Sequence, residues 1–264
     1  KDGVCRVPHL TLLDNELITV IEDGGKENFQ SITKFLEDSS LPYSEIIFHD
    51  EVLRETLERG IIRLNKERLI AEDAGGLIVA SSISHAKKIQ YLLSQLGEYS
   101  KVVTYQESEP ERLIQNFKRS NEKWIISIGM ISEGTNIPRL RVCCYLSLVT
   151  TELYFRQVLG RVLRAQNNDR EMGYFITPAH PRLLEFASRV AEEVPHCAVL
   201  NSSNIDDLDF TRSRILIGDS SLCFNPQVIT KTVAEKEFDE GLRNDLLPLW
   251  YDSTIDSFGK FSHK

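Results

Sequence analysis

The sequence predicts an α/β fold, a parallel sheet with helices on both faces, and three observations predict it. Short apolar runs, the first of them opened by two glycines, recur from residue 75 onward with the length and composition of buried strands. Between them lie stretches with apolar residues at helical spacing. Strand and helix alternate at lengths that suit crossover units, which join parallel strands.

The elements follow in order. GGLIVASS (residues 75–82) reads as the first strand of this region, and ISHAKKIQYLLSQLG (83–97) as a helix that stops at Gly97. KVVTY (101–105) is a second strand. PERLIQNFKRS (110–120) is a helix with proline at its start and Leu113, Ile114 and Phe117 on one side. WIISIGM (124–130) and RVCCYLSL (141–148) are further strands. YFRQVLGRVLR (154–164) is an amphipathic helix whose stripe is Phe155, Val158, Leu159, Val162 and Leu163. GYFIT (173–177) and PRLLEFASRVAEEV (181–194) complete the alternation as strand and helix. Before residue 75 the pattern differs. HLTLLDNELITVIE (9–22) predicts two short strands around an Asp-Asn turn, while ENFQSITKFLED (27–38) and the long charged stretch 49–73 predict helices. After His196 the pattern fades into polar sequence, with one strand expected at RILIGD (214–219) and an acidic tail from Val233. The expected organisation is a hairpin and helical lead-in (1–74), an α/β domain (75–195) and an irregular acidic C-terminal extension (196–264).

Bulk properties exclude several classes. No apolar run reaches the 18 residues or so of a membrane span and no signal peptide opens the chain, so a soluble, cytoplasmic protein with no membrane partner is expected. Five cysteines without paired spacing read as thiols, not as disulfides or metal ligands, and no metal site is expected. The net charge is −8, yet residues 75–170 carry 13 Lys and Arg against 8 Asp and Glu, a local +5. A mildly basic domain between acidic flanks suits a polyanion-binding face as well as an ordinary solvated surface. No G-x-G-x-x-G follows a strand and the six histidines are scattered, His85 reading as a helix-surface residue, which disfavours a small-molecule enzyme of the dinucleotide-binding kind.

In open parallel sheets ligands bind beyond the carboxyl ends of the strands. Three segments are expected there together: the hydroxyl-rich turn Ser81 to Ser84, at a helix N-terminus that favours anions; the loop GMISEGTNIPRLR (129–141); and the helix bearing Gln157, Gly160, Arg161 and Arg164. Each has a plain alternative. The serines suit N-caps, the glycines and proline suit turns, and arginines three apart suit a solvated helix face. Gly160 is the odd residue, because a glycine inside a helix costs about 1 kcal/mol relative to alanine.

Taken together, GGLIVASSISHAKKI, RLIQNFKRS, WIISIGMISEGTNIPRL and YFRQVLGRVLR closely resemble motifs four, four-a, five and six of superfamily 2 helicases, the last being the Q-x-x-G-R-x-x-R signature. SEGTNIPRLRV followed by TELYFRQVLGRVLR is most similar to the DEAD/DEAH-box branch related to restriction-enzyme motor subunits. The resemblance covers about residues 75–178. It implies a second RecA-like motor domain that shares an ATP site with an N-terminal RecA-like domain and works on DNA or RNA, with nuclease or methylase subunits as further partners. It further implies that Arg161 and Arg164 reach the γ-phosphate across the cleft, where a guanidinium donates bidentately and stabilises the phosphoryl-transfer transition state, with Gln157 beside them. Glu133, Gly134, Asn136 and Gly160 then lie against the nucleotide, and Ser81, Ser82, Ser127 and Gly129 against the nucleic acid.

The sequence departs from the family pattern in places. Asn136 stands where the fifth motif carries aspartate, which turns a ribose contact into a neutral hydrogen bond. Ile128 and Gly129 occupy the turn of its usual threonine, leaving Ser127 as the nearest hydroxyl. The chain also contains no G-x-x-x-x-G-K-[ST] phosphate loop and no D-E-x-[HD] magnesium motif; in the family both belong to the first motor domain. With a first residue that is not methionine, the chain reads as the C-terminal portion of a longer ATP- and Mg2+-dependent helicase or translocase. Such a portion is expected to hold neither cofactor and to be inactive alone. The rival reading is a degenerate half-motor, a non-catalytic nucleic-acid or protein binding module.

Overall fold

The computed structural model describes residues 5–14, 18–22, 25–104, 106–129, 136–165, 172–194, 197–201 and 227–230. Its main feature is a seven-stranded sheet in the order β5-β6-β4-β7-β8-β1-β9, every neighbouring pair parallel. The strands are β1 (Val7–Leu13), β4 (Gly75–Ala80), β5 (Ser100–Val103), β6 (Trp124–Ser127), β7 (Leu140–Leu146), β8 (Met172–Pro178) and β9 (Ala198–Asn201). The helices are α1 (Ile32–Asp38), α2 (Tyr43–Ile47), α3 (Asp50–Arg68), α4 (Ile83–Gln95), α5 (Pro110–Arg119), α6 (Glu152–Val162) and α7 (Pro181–Glu193). This is the predicted α/β, RecA-like architecture.

Side chains divide by strand parity between two cores. Leu77, Val79, Ile125, Cys143, Tyr145 and Phe175 point to the face covered by α5, α6 and α7. Ile78, Ala80, Trp124, Ile126, Val142, Cys144 and Ile176 point to the face covered by α3 and α4. The adjacent cysteines therefore serve opposite cores. Both are free, buried thiols, and burial pushes them up, Cys144 to about 12, which disfavours the reactive thiolate.

Trp124 is fully buried at the centre of the α3/α4 face. Two glycines make room for its ring. A Cβ on Gly76 would lie 2.2 Å from the indole, and one on Gly60 would lie 3.2 Å from it and 2.5 Å from Cys144 Sγ. Gly97 follows α4 at φ +78°, and the backbone N–H groups of Gly97 and Glu98 close back on Ser94 O and Leu93 O at 3.2 and 2.9 Å, the helix stop the sequence predicted.

The chain ends differ from expectation. Both strands predicted within residues 9–22 form, but they part company. β1 enters the main sheet between β8 and β9, whereas β2 (Ile18–Glu22) pairs antiparallel with β3 (Gly25–Phe29) and parallel with β10 (Gln227–Thr230). The hairpin is thus β2–β3, and Glu27 to Phe29, expected to begin a helix, are strand. The reason is burial: Leu10 and Leu12 point into one core and Leu13 into the other, so both faces of β1 are covered within the main sheet. β9 likewise extends the sheet beyond residue 195. The strand expected at 214–219 and the tail from Val233 lie outside the described residues.

Candidate nucleotide and nucleic-acid edges

The predicted site residues occupy opposite edges of the sheet. Strand starts align in the register, with Val7 beside Met172, Gly75 beside Leu140, and Trp124 beside Gly76 and Ser100, which defines an amino edge. α6 begins after β7 at the carboxyl edge and runs back for 11 residues, about 16 Å at 1.5 Å per residue. Arg161 and Arg164 therefore stand at the amino edge. Ser81, Ser82, Ser127 and Gly129, which follow β4 or close β6, stand at the carboxyl edge. The expectation that all three segments meet on one edge is corrected, because parallel topology forces a crossover helix to end where the next strand begins.

At the amino edge the two arginines differ. Arg161 is in the last turn of α6 and only 8% exposed, whereas Arg164 lies beyond the helix end and is exposed. They do not share a helix face, since α6 stops at Val162 with Leu163 as its cap. Gln157 is half-buried one turn before Arg161. A Cβ on Gly160 would meet no described atom within 4 Å, so nothing described in this chain requires a glycine there. Asn136, exposed, precedes β7 on this edge, while Glu133 and Gly134 lie outside the described residues.

A residue that the sequence did not single out organises this edge. Arg6, 5% exposed, donates from Nη1 to Leu140 O (2.8 Å), Val162 O (3.1 Å) and Arg164 O (2.6 Å), and from Nη2 to Pro138 O (2.9 Å). Its backbone N–H donates to Leu163 O at 2.7 Å, and Cys5 bridges to Arg164. A cation at a helix C-terminus meets the negative end of the helix dipole. Arg139 acts likewise at the end of α5, donating to Phe117 O, Asp73 O and Glu122 O while stacking 4.0 Å over the Phe117 ring. Burial lowers its pKa to about 10, so it stays charged at neutral pH. Arg141 pairs with buried Glu67 at 3.3 Å. Only sequence-distant pairing reveals these tasks; each reads locally as one more surface arginine.

At the carboxyl edge the hydroxyls divide by task. Ser81 Oγ donates to Leu146 O (2.9 Å) and accepts from Leu148 N (3.2 Å), tying β4 to the end of β7. Ser82 caps α4 by accepting from His85 N, and its Oγ lies 2.9 Å from that of exposed Ser84. Ser127 is 2% exposed and its Oγ has no hydrogen-bond partner among the described residues. Gly129 turns the chain at φ +67°.

His85 is 2% exposed and not on the helix surface, because its ring packs edge-on against Phe48 and its Nδ1 accepts from Ser81 N. Burial, with the nearby Lys88 charge, lowers its pKa to about 4. Between about pH 6.5 and pH 4 the unfolded chain takes up a proton that the folded ring refuses, so stability falls as pH falls through that window, by about 3 kcal/mol at most. Urea midpoints should therefore drop from pH 7 to pH 4, and the drop should shrink in His85→Gln. An equally steep drop in that variant would assign the pH dependence to other groups.

Among the described residues no three His, Cys, Asp or Glu side chains converge as a metal site, and no helix is long and apolar enough to cross a membrane. Residues 58–166 match the helicase conserved C-terminal domain model. An uncharacterized protein of Mycobacterium leprae (strain TN) is 33% identical over 135 residues, 51% of this chain and 22% of that protein. One from Mycobacterium tuberculosis (strain ATCC 25618 / H37Rv) is 32% identical over the same shares. The matched part thus spans about a fifth of the length of these relatives. A fragment assigned to the HsdR subunit of a type I restriction enzyme from Vibrio vulnificus YJ016 has the same fold, with a TM-score of 0.51 at 13% identity over 75% of this chain and 37% of that one.

Proposed function

We infer, from the match of residues 58–166 to the helicase conserved C-terminal domain model and from the motif resemblance, that this chain supplies one half of an ATP-driven nucleic-acid helicase or translocase of the superfamily 2 type. Residues 75–195 are proposed as the motor unit proper, with β1 and β9 completing its sheet. An N-terminal RecA-like domain of the same protein is the proposed partner at the amino edge, and DNA or RNA at the carboxyl edge. The motif resemblance to restriction-enzyme motor subunits is the ground for proposing nuclease or methylase subunits as further partners.

The observation that carries the reading is the open space over Gly160 near the end of α6. A helix-interior glycine beside Arg161, facing open space, lowers stability with no described packing to offset it. A site completed by a second domain accounts for that. ATP supplies the phosphoryl group when it is bound, and Mg2+, for which no ligand is assigned to this chain, accompanies it. Gly160 leaves room for the nucleotide, Arg161 and Arg164 donate toward its phosphates, and Gln157 and Asn136 offer neutral hydrogen bonds beside them. At the other edge Ser82, Ser84 and the α4 N-terminus offer donors to backbone phosphates, while Ser81 serves the fold.

Gly160→Ala separates this reading from a passive binding module. In the intact protein the variant should be more stable by about 0.5–1 kcal/mol, yet its kcat for ATP hydrolysis should fall about tenfold or more, because a methyl group displaces the reacting geometry. Thermal melts and steady-state hydrolysis check both. Raised stability with unchanged kcat would remove Gly160 from the nucleotide site.

A further inference from the structure

We propose that Arg6 is a positioning residue for Arg164, an inference that rests on the function proposed above. Its guanidinium gathers carbonyls from three places: the end of α6 (Val162 O), the residue Arg164 itself, and the segment entering β7 (Pro138 O and Leu140 O). The backbone N–H of Arg6 holds Leu163 O. Every residue from Val162 to Arg164 is therefore tied by its carbonyl to one side chain or its own backbone. The planar fork suits the task, because one guanidinium has five donors in fixed directions and can bridge carbonyls that a single ammonium cannot span. Without the clamp the last turn of α6 would keep its core contacts through Leu159 and Val162, but the residues after it would lose their side-chain attachment to the β7 entry. Arg164, exposed and outside the helix, would then sample positions away from the cleft.

The test uses the intact protein with saturating nucleic acid and four variants: Arg6→Lys, Arg6→Ala, Arg164→Ala and the double Arg6→Lys/Arg164→Ala. Arg6→Lys keeps the charge at the helix end and removes the fork. It should lower kcat at least tenfold, leave the KM for ATP within about twofold, and remain folded at the assay temperature. In the Arg164→Ala background the same Arg6→Lys change should have no further effect on kcat, because residues that act through one another are not additive. A general structural defect would instead multiply with Arg164→Ala and raise KM as well, which overturns the proposal. So would full activity of both Arg6 variants. If Arg6→Ala fails to fold, the lysine variant and its double decide alone. Full activity of Arg164→Ala would sink the nucleotide-site reading and this inference with it, whereas loss in Arg164→Ala with normal Arg6→Lys would sink only this inference.

Discussion

Replacing Arg164 with alanine in the intact protein is expected to lower kcat for ATP hydrolysis by roughly 10³-fold, the scale of an arginine finger, with a thermal midpoint close to that of the unaltered protein. The separation follows from how the residue is held. The fold uses the backbone of Arg164, through its carbonyl to Arg6 and its bridge to Cys5, and an alanine keeps both. The side chain is exposed, and exposed substitutions usually move stability by less than about 0.5 kcal/mol. Lysine should rescue poorly because it presents one point charge where a fork is needed. Arg161→Ala should cost activity on the same scale but also melt earlier, since removing the side chain of a residue only 8% exposed leaves unfilled space behind. Steady-state hydrolysis beside thermal melts distinguishes the outcomes. Normal turnover in Arg164→Ala would return this helix end to an ordinary solvated surface.

The largest expected loss of stability lies at Trp124. Its side chain is fully buried between Gly76 and Gly60, so Trp124→Ala should lower the unfolding free energy by about 3–5 kcal/mol. Gly76→Ala attacks the same contact from the other side, and a methyl group 2.2 Å from the indole forces a shift costing about 1–3 kcal/mol. The indole N–H has no hydrogen-bond partner among the described residues. Trp124→Phe should therefore cost less than its lost volume alone implies, because it also removes a buried unsatisfied donor. Combining Gly76→Ala with Trp124→Phe should cost less than the sum of the two, as the smaller ring makes room for the methyl group. Urea denaturation of the four variants measures this. Additive costs in the double variant would show that Gly76 and Trp124 are not in the contact described.

Sequence reading recovered β4 through α7 because each of those elements carries its own period and pairs with near neighbours along the chain. It misassigned β1 and β9 for the opposite reason. Val7–Leu13 pairs with Met172–Pro178, and no local pattern announces a partner that distant. The motif residues were legible from order and spacing, but which edge each occupies was not. Edge is a property of strand direction, and α6 carries its arginines across the height of the sheet. His85 looked exposed because a lone histidine among lysines reads as surface, whereas Phe48, which follows α2, packs edge-on against its ring. Arg6 gave no local sign at all, since its partners lie up to 158 residues away.

The place of β1 between β8 and β9 also orders events in time. A strand near the chain's beginning that pairs with one some 165 residues later cannot settle until the intervening chain has been made, and such distant closures are the slow ones. Strands β4 to β7, with their helices, can assemble early, while β8 waits with one edge unpaired and open to the wrong partner. When β1 finally inserts, it seals that edge and delivers Arg6 to the end of α6 in the same movement. If Arg6 positions Arg164 as proposed, that alignment waits on this distant closure, and a chain stalled before it would lack the clamp however well strands β4 to β7 had formed.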